Sequence, residues 1–226
     1  MKITLFDNDW TLIRGRNKAH LDSFDYAVKK IFGLDVSIRE VAVEGRIDSQ
    51  ILLIMLESQG IHPDEAKVKI PKLFQEMVKY FRSHEDDGDY TPMPGAPELL
   101  KELKKRNTLI GVLTGNVEEI GWYKLEKAGL KQYIDFGAFG SEAYRRSDLV
   151  PIALEKAQKL QQNLTLQDLV LVGDSPLDVQ CAKDAGVKII AVAAADFSTE
   201  QLSKAEADLV VNSLQNQEEI LNFLTS

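Results

Sequence analysis

From Pro92 onward, short apolar segments alternate with segments that have the periodicity of α-helices. Short apolar segments bounded by turn residues are typical of buried strands, and strands alternating with helices indicate a parallel sheet covered on both faces. Predicted strands cover residues 109–113, 134–139, 169–172, 188–192 and 209–211, and another covers Ile3 to Phe6. The predicted fold class is therefore α/β, with a Rossmann-like parallel sheet and helices on both faces.

Residues 15–91 interrupt this pattern with apolar residues at helical spacing. Helices are predicted at 17–32 and 46–56, and two more between 63 and 81, because Pro71 is expected to break a single long helix. The acidic segment 84–90 is predicted to be a solvated hinge or linker. The order predicts two domains: a Rossmann-like core of residues 1–14 and 92–226, and an inserted all-helical cap of residues 15–91.

The composition limits the kinds of partner. The 226 residues are 44% hydrophobic with a formal net charge of -8, which argues against a nucleic-acid binder and weakly against an anionic membrane surface. An anionic substrate stays open, because a bound cation can reverse the local field. The single cysteine, Cys181, fits a reducing compartment. Since the N-terminal apolar run is too short for a signal peptide and no run reaches about 20 residues, a cytoplasmic protein is expected.

Two carboxylates follow the first predicted strand directly. Asp7 and Asp9 are separated by one residue, and Thr11 comes two residues later. In open α/β sheets ligands bind outside the carboxyl ends of the strands, and neighbouring carboxylates repel each other unless a cation or a proton relieves the repulsion. The alternative is a turn in which Asp and Asn side chains bond to the backbone, and this segment alone leaves both open.

Two other predicted strands end in polar residues that reach the same edge of a parallel sheet. Thr114, Gly115 and Asn116 follow one, and Asp174 with Asp178 follows the other. Several carboxylates at one sheet edge call for a hard divalent cation, and Mg²⁺ suits carboxylates combined with waters and substrate phosphate. Capping of the following helix is the alternative for the later pair of acids, but it leaves the acids at the first strand unexplained.

The three segments together resemble motifs of the haloacid dehalogenase superfamily, in its phosphatase branch with a helical C1-type cap, similar to phosphoglycolate phosphatases. The resemblance covers essentially the whole chain. The matching residues are Asp7, Asp9 and Thr11 for the first motif, Thr114 for the second, and Gly173, Asp174 and Asp178 for the fourth.

The third motif and one position of the first depart from the family pattern. The family has a Lys or Arg ahead of a helix start that contains proline, and here Arg146 is the preferred match, with Arg145 as the alternative, ahead of Pro151. Trp10 replaces the glycine that usually follows the second acid. The chemistry stays intact, but the shape of the pocket is expected to differ, with Trp10 at the boundary between core and cap.

The resemblance implies hydrolysis through an aspartyl-phosphate. Asp7 is expected to be the nucleophile and Asp9 the general acid and base. Thr114 is expected to donate a hydrogen bond to a phosphoryl oxygen, and Arg146 to balance the charge of the transferring group.

The resemblance also implies Mg²⁺ as the cofactor. Its expected ligands are Asp7, the backbone carbonyl of Asp9, Asp174 and Asp178, although Asp178 could instead orient Arg146.

The expected substrate is a small phosphorylated metabolite. Predicted substrate or phosphate contacts come from Thr11, Gly115, Asn116, Trp10 and Arg46. Arg46 could bind a carboxylate or second phosphate, and a solvated Arg is the alternative. Phosphoglycolate is the first candidate, while nucleotides, pyrophosphate and sugar phosphates stay open. No oligomeric state is predicted.

Asp9 also separates the competing functions. By resemblance, dehalogenases, phosphonatases and ATPases lack this acid, so it favours a phosphatase or, as the alternative, a sugar phosphomutase of the β-phosphoglucomutase type. A non-catalytic scaffold is the third hypothesis.

Three histidines are predicted to lie in the cap region, away from the motifs, as surface or packing residues: His20, His62 and His84. Lys124, on the helix after Thr114, is expected to face solvent. Arg14 and Arg16 are weaker candidates for substrate contact.

Overall fold

The computed structural model describes residues 3–15, 17–43, 45–85, 88–194 and 196–225, and within them six parallel strands form one sheet. The spatial order of the strands is β3-β2-β1-β4-β5-β6. The strands are β1 (Ile3–Phe6), β2 (Leu109–Thr114), β3 (Phe136–Phe139), β4 (Leu169–Gly173), β5 (Lys188–Val192) and β6 (Leu209–Val211). The predicted α/β fold class, a Rossmann-like parallel sheet, is confirmed.

Nine α-helices connect or flank the strands in the described part of the chain. They are α1 (Lys18–Phe32), α2 (Asp48–Glu57), α3 (Pro63–Ser83), α4 (Ala96–Lys105), α5 (Glu118–Lys127), α6 (Leu149–Leu160), α7 (Pro176–Ala185), α8 (Thr199–Lys204) and α9 (Gln217–Thr225). The short α8 was not predicted, although Ser198 and Gln201 form a capping box at its start.

Neighbouring residues of each strand pack into two different hydrophobic cores, because successive side chains point to opposite faces of a sheet. Phe6 packs into a cluster with α4, α5 and α9, while Leu5 packs into a second cluster with α6, α7 and α8. Both side chains are fully buried, and each such burial stabilises the fold by roughly 1.5–3 kcal/mol. The two cores hold the sheet between helical layers and fix the positions of the strand ends.

The register brings the carboxyl ends of three strands to one level. Phe6, the last residue of β1, pairs with Val112 of β2 and Val172 of β4. The backbone N–H of Asp7 then donates to the carbonyl of Val172 at 2.9 Å. Polar residues that follow these strands therefore meet at one edge of the sheet.

Helices α1, α2 and α3 lie between β1 and α4 in the chain, and we call Lys18 to Ser83 the helical segment. They pack on one another around Phe24, Leu52 and Leu73, and this third cluster also includes Ile120 of α5. The helical segment therefore packs on α5. None of the helices in the described residues is both long and apolar enough to cross a membrane.

The predicted break at Pro71 is wrong, because Pro63–Ser83 forms one continuous helix. Proline at this position lacks the N–H that would bond to the carbonyl of Lys67, a loss of about 3 kcal/mol in a helix interior. Both residues are exposed, so water can reach the freed carbonyl. The opposite face of the helix buries Ile70, Leu73 and Met77, and this burial outweighs the local preference for a break.

Candidate active site

Three carboxylates meet at the sheet edge where β1 and β4 end. Asp7 follows β1, Asp174 follows β4, and Asp178 lies in the first turn of α7. One carboxylate oxygen from each lies within 4.8 Å of the other two. The sequence therefore correctly predicted that these acids come together.

Burial and, after it, the proximity of these acids make their ionisation unfavourable without a cation. Burial, followed by the Asp178 and Asp7 charges, raises the pKa of Asp174 to about 9. Burial also raises the pKa of Asp7, to about 7, although the positive charge of Arg146 opposes the rise. A bound cation would reverse both shifts, since it stabilises the charged carboxylates.

The donor set fits a magnesium ion. Asp174 is 7% exposed, and its Oδ1 lies 3.5 Å from Thr11 Oγ1, at the outer limit of a hydrogen bond. A carboxylate this buried with so weak a partner is suited to a hard cation, and oxygen ligands are those that Mg²⁺ prefers. Asp7 lies beside Asp174 and offers a second carboxylate to the same ion.

Asp178 has partners of its own. Its Oδ2 accepts hydrogen bonds from the backbone N–H of Ser175 at 3.0 Å and from Ser175 Oγ at 2.6 Å. The first of these bonds, together with the donation from the backbone N–H of Asp178 to Ser175 Oγ at 3.2 Å, forms the capping box of α7. Its Oδ1 lies 2.5 Å from the guanidinium of Arg146. These contacts fit the expectation that Asp178 orients Arg146 better than they fit a metal ligand.

Arg146 is the arginine that reaches the acids. Its Nη2 lies 3.2 Å from Asp7 Oδ1, and its Nη1 donates to the carbonyl of Gly45 at 3.2 Å. Burial by itself would lower the pKa of Arg146, but Asp178 and Asp7 raise it above its ordinary value. Arg146 is buried and Arg145 is exposed, so the geometry favours Arg146 over its neighbour as the cation of the site.

The loop after β2 lies beside Asp9. Thr114 is fully buried, and its Oγ1 accepts a hydrogen bond from Asn116 Nδ2 at 3.0 Å. The same amide nitrogen lies 2.8 Å from Asp9 Oδ2, to which it also donates. Gly115 contacts the helical segment, because an added Cβ would lie 2.4 Å from the carbonyl oxygen of Arg46.

The expectation that Lys124 faces solvent is wrong. Lys124 is 2% exposed, and its Nζ lies 2.9 Å and 2.8 Å from the two carboxylate oxygens of Asp9. The sequence carried a signal for the burial of Lys124, because this residue lies four residues after Ile120 and three after Gly121, on the buried face of α5.

The expectation that His20 lies away from the motifs is also wrong. His20 is 7% exposed, with Nε2 2.9 Å from Asp48 Oδ2 and Nδ1 3.2 Å from Lys124 Nζ. Asp48 Oδ2 also accepts a hydrogen bond from the backbone N–H of Val117 at 2.8 Å. His62 and His84 are exposed, as predicted.

A cavity of about 130 Å³ opens beside these groups. The site edge contributes Asp7, Asp9, Gly115, Asn116, Lys124, Arg146 and Asp174, and the helical segment contributes an apolar wall of Leu21, Phe24, Ile38, Val43 and Ile51. Arg46 also lines the cavity, and its Nε donates to the carbonyl of Ala42 at 2.9 Å. Arg14 is exposed, and Arg16 lies outside the described residues.

Trp10 lines the same cavity in an unusual backbone conformation. Its φ of 64° lies in the left-handed region, which costs an ordinary residue about 1–2 kcal/mol and which glycine adopts freely. The indole packs against Gly15, where an added Cβ would lie 2.1 Å from Trp10 Nε1. A large ring therefore stands where the family pattern has glycine.

Comparisons with known proteins show the family and the fold of the chain. Residues 4–192 match the family model of the haloacid dehalogenase-like hydrolases. The chain is 27% identical to a phosphoserine phosphatase of Methanocaldococcus jannaschii, covering 99% of this chain and 97% of that protein. It is 26% identical to a phosphoglycolate phosphatase of Aquifex aeolicus, covering 83% of each. The crystal structure of β-phosphoglucomutase from Clostridium difficile superposes with a TM-score of 0.73 at 19% identity, covering 100% of this chain and 97% of that one.

Proposed function

Because the chain belongs to the family of haloacid dehalogenase-like hydrolases, we propose that it is a Mg²⁺-dependent phosphatase that hydrolyses a small phosphate monoester. The observation that carries the proposal is the meeting of Asp7, Asp174 and Arg146 at the edge of the sheet. A buried carboxylate beside an arginine, within reach of a second buried carboxylate, can attack phosphorus while cations balance the phosphate charge.

In the proposed reaction, a carboxylate oxygen of Asp7 attacks phosphorus and the bond between phosphorus and the ester oxygen breaks. Asp9 gives a proton to the departing alcohol, and it then takes a proton from the water that attacks the aspartyl-phosphate. The second attack breaks the bond between Asp7 and phosphorus and releases inorganic phosphate. Asp7 and Asp9 return to their starting states, so the cycle balances.

The remaining residues of the site have supporting roles in the proposal. Mg²⁺, held by Asp7, Asp174 and the backbone carbonyl of Asp9, would supply positive charge to the phosphoryl oxygens. Arg146 contacts the same oxygens, and Asp178 holds it by the 2.5 Å contact. Thr114 and the backbone N–H groups around Gly115 are the proposed hydrogen-bond donors to phosphate.

We further propose that residues 15–91 form a cap over a core of residues 1–14 and 92–226. The small cavity with an apolar wall from the helical segment supports a compact substrate. Arg46 is the proposed contact for a carboxylate or second phosphate, so phosphoglycolate is the first candidate. A small metabolite as substrate and a single cysteine support a cytoplasmic site of action.

The test is phosphate release from a panel of phosphoglycolate, phosphoserine, pyrophosphate, sugar phosphates and nucleotides, with Mg²⁺ and with a chelator. We expect release from at least one small substrate, loss of release on chelation, and recovery when Mg²⁺ is restored. No release from any compound, together with no stabilisation by Mg²⁺, would mean a non-catalytic scaffold. Isomerisation of a sugar phosphate with little phosphate release would mean a mutase.

Replacing Trp10 by glycine is expected to broaden the range of substrates. The change removes the indole from the cavity and relieves the left-handed backbone at φ 64°. We expect kcat/KM for bulky esters to rise about tenfold relative to phosphoglycolate, the size of effect that a change in pocket volume gives. The same panel measures it, with Trp122→Ala as the control. An unchanged ratio would make the indole ordinary packing.

A further inference from the structure

We propose that Lys124 is a positioning residue that fixes the carboxylate of Asp9 for proton transfer, and that His20 and Asp48 of the helical segment hold Lys124 in place. This inference rests on the proposed function, because it assigns a role relative to the proton transferred by Asp9. It adds three residues to the site from two parts of the chain that are far apart in sequence.

Asp9 is held at both of its oxygens. Lys124 Nζ lies 2.9 Å from Oδ1 and 2.8 Å from Oδ2, and Asn116 Nδ2 donates to Oδ2 at 2.8 Å. Contacts to both oxygens fix the plane of a carboxylate, whereas a single contact leaves it free to rotate. The orientation of Asp9 toward the cavity is therefore determined by α5 and the loop after β2.

Lys124 is itself held by the helical segment. An ammonium group has three N–H donors and no acceptor. Because Lys124 must donate at its 3.2 Å contact with His20 Nδ1, that nitrogen accepts, and His20 carries its proton on Nε2. Nε2 in turn donates to Asp48 Oδ2 at 2.9 Å. The two carboxylate oxygens and the imidazole nitrogen use all three donors of Lys124.

The other end of this chain of contacts is also anchored. Asp48 Oδ2 accepts from the backbone N–H of Val117, and the N–H of Asp48 donates to the carbonyl of Gly115, both at 2.8 Å. The path from Asp9 through Lys124 and His20 to Asp48 therefore begins and ends beside the loop after β2. A displacement of α1 would move His20, remove a partner from Lys124, and loosen Asp9, while a displacement of α2 would take Asp48 away from His20.

A purely structural ion pair has the same geometry, so the test uses the leaving group. An alkyl phosphate needs a proton on its departing oxygen, while p-nitrophenolate leaves without one. The ratio kcat/KM reports the steps up to release of the alcohol. Comparing kcat/KM for the two esters therefore isolates the contribution of the proton transfer from Asp9. The esters are p-nitrophenyl phosphate and the best alkyl phosphate of the wild-type panel.

For Lys124→Met we expect kcat/KM to fall by about 100-fold or more on the alkyl ester and by less than about tenfold on p-nitrophenyl phosphate, as for loss of general acid catalysis. Lys124→Arg is expected to recover part of the activity on the alkyl ester. Lys127→Met, an exposed lysine of the same helix, is the matched control and is expected to behave as wild type. Equal losses on both esters, or no loss, would overturn the inference.

A second variant covers the case in which Lys124→Met does not fold. His20→Leu leaves Lys124 and Asp9 paired and removes the contact from the helical segment. We expect a loss of roughly tenfold, selective for the alkyl ester, and an equal effect on both esters would overturn the inference. Inactive wild-type protein on every compound would instead be a failure of the proposed phosphatase, so the two failures are distinguishable.

Discussion

Phosphate release from every ester is expected to fall at least about 10⁴-fold when Asp7 is replaced by asparagine, because the amide cannot serve as the nucleophile. Asparagine has nearly the same size and keeps the backbone N–H that bonds to Val172. The strand and the turn after it should therefore be unchanged. The measurement is phosphate release with Mg²⁺, alongside a circular dichroism spectrum that checks the fold.

The same variant is expected to be more stable than wild type in the absence of metal, although it is expected to be inactive. Folding raises the pKa of Asp7 from 3.8 to about 7, chiefly through burial. A carboxyl whose pKa is higher in the folded state destabilises the fold as the pH rises between these two values, because the unfolded chain has already released its proton. Asparagine has no proton to lose, so the metal-free variant should melt above metal-free wild type at about pH 8, and the difference should shrink toward about pH 4.

The control for Asp7→Asn is Asp184→Asn, which neutralises an exposed carboxylate on α7. It is expected to keep wild-type activity and stability. If Asp7→Asn kept full activity, the aspartyl-phosphate pathway would be wrong, whatever the control showed.

Replacing Arg146 by methionine is expected to reduce both activity and stability. The variant leaves Asp7 and Asp178 without the guanidinium at 3.2 Å and 2.5 Å. Removing one partner of a buried ion pair costs about 3–5 kcal/mol, which corresponds to a decrease of roughly 10 °C in melting temperature for a chain of this size. Activity should fall by about 10²–10³-fold, as when a group that stabilises the transition state is lost.

Arg145→Met is the matched control, since the adjacent arginine is exposed. We expect it to change activity and melting temperature little. Arg146→Lys should keep part of the charge but lose the simultaneous contacts to the acids and to the carbonyl of Gly45. A larger effect from Arg145→Met than from Arg146→Met would exchange the roles of the two residues.

The sequence predicted the sheet because the signals for it are local. Ile3 to Phe6 and Leu169 to Val172 are apolar runs ended by turn residues, and a parallel sheet brings their ends together. The meeting of Asp7 with Asp174 follows from that topology alone. The error at Pro71 has the opposite origin, because contacts made by distant residues overrode a local preference.

The contacts of Lys124 could not be predicted in the same way. The pair with Asp9 joins residues 115 positions apart, and the contact with His20 joins residues 104 positions apart. Nothing in the local pattern says which polar residue of α5 faces which residue of α1. The division into core and cap stays a prediction. The roles of the individual site residues also stay predictions, which the variants above test.

The close contact at Gly115 has a consequence for how this protein can change over evolution. Main chain meets main chain there, since an added Cβ at Gly115 would lie 2.4 Å from the carbonyl oxygen of Arg46. The docking of the helical segment is thus set in part by backbone atoms, which are common to all residues, while side chains such as Leu21 form the cavity wall. New substrates can therefore be accommodated by changing the wall while this backbone contact stays the same.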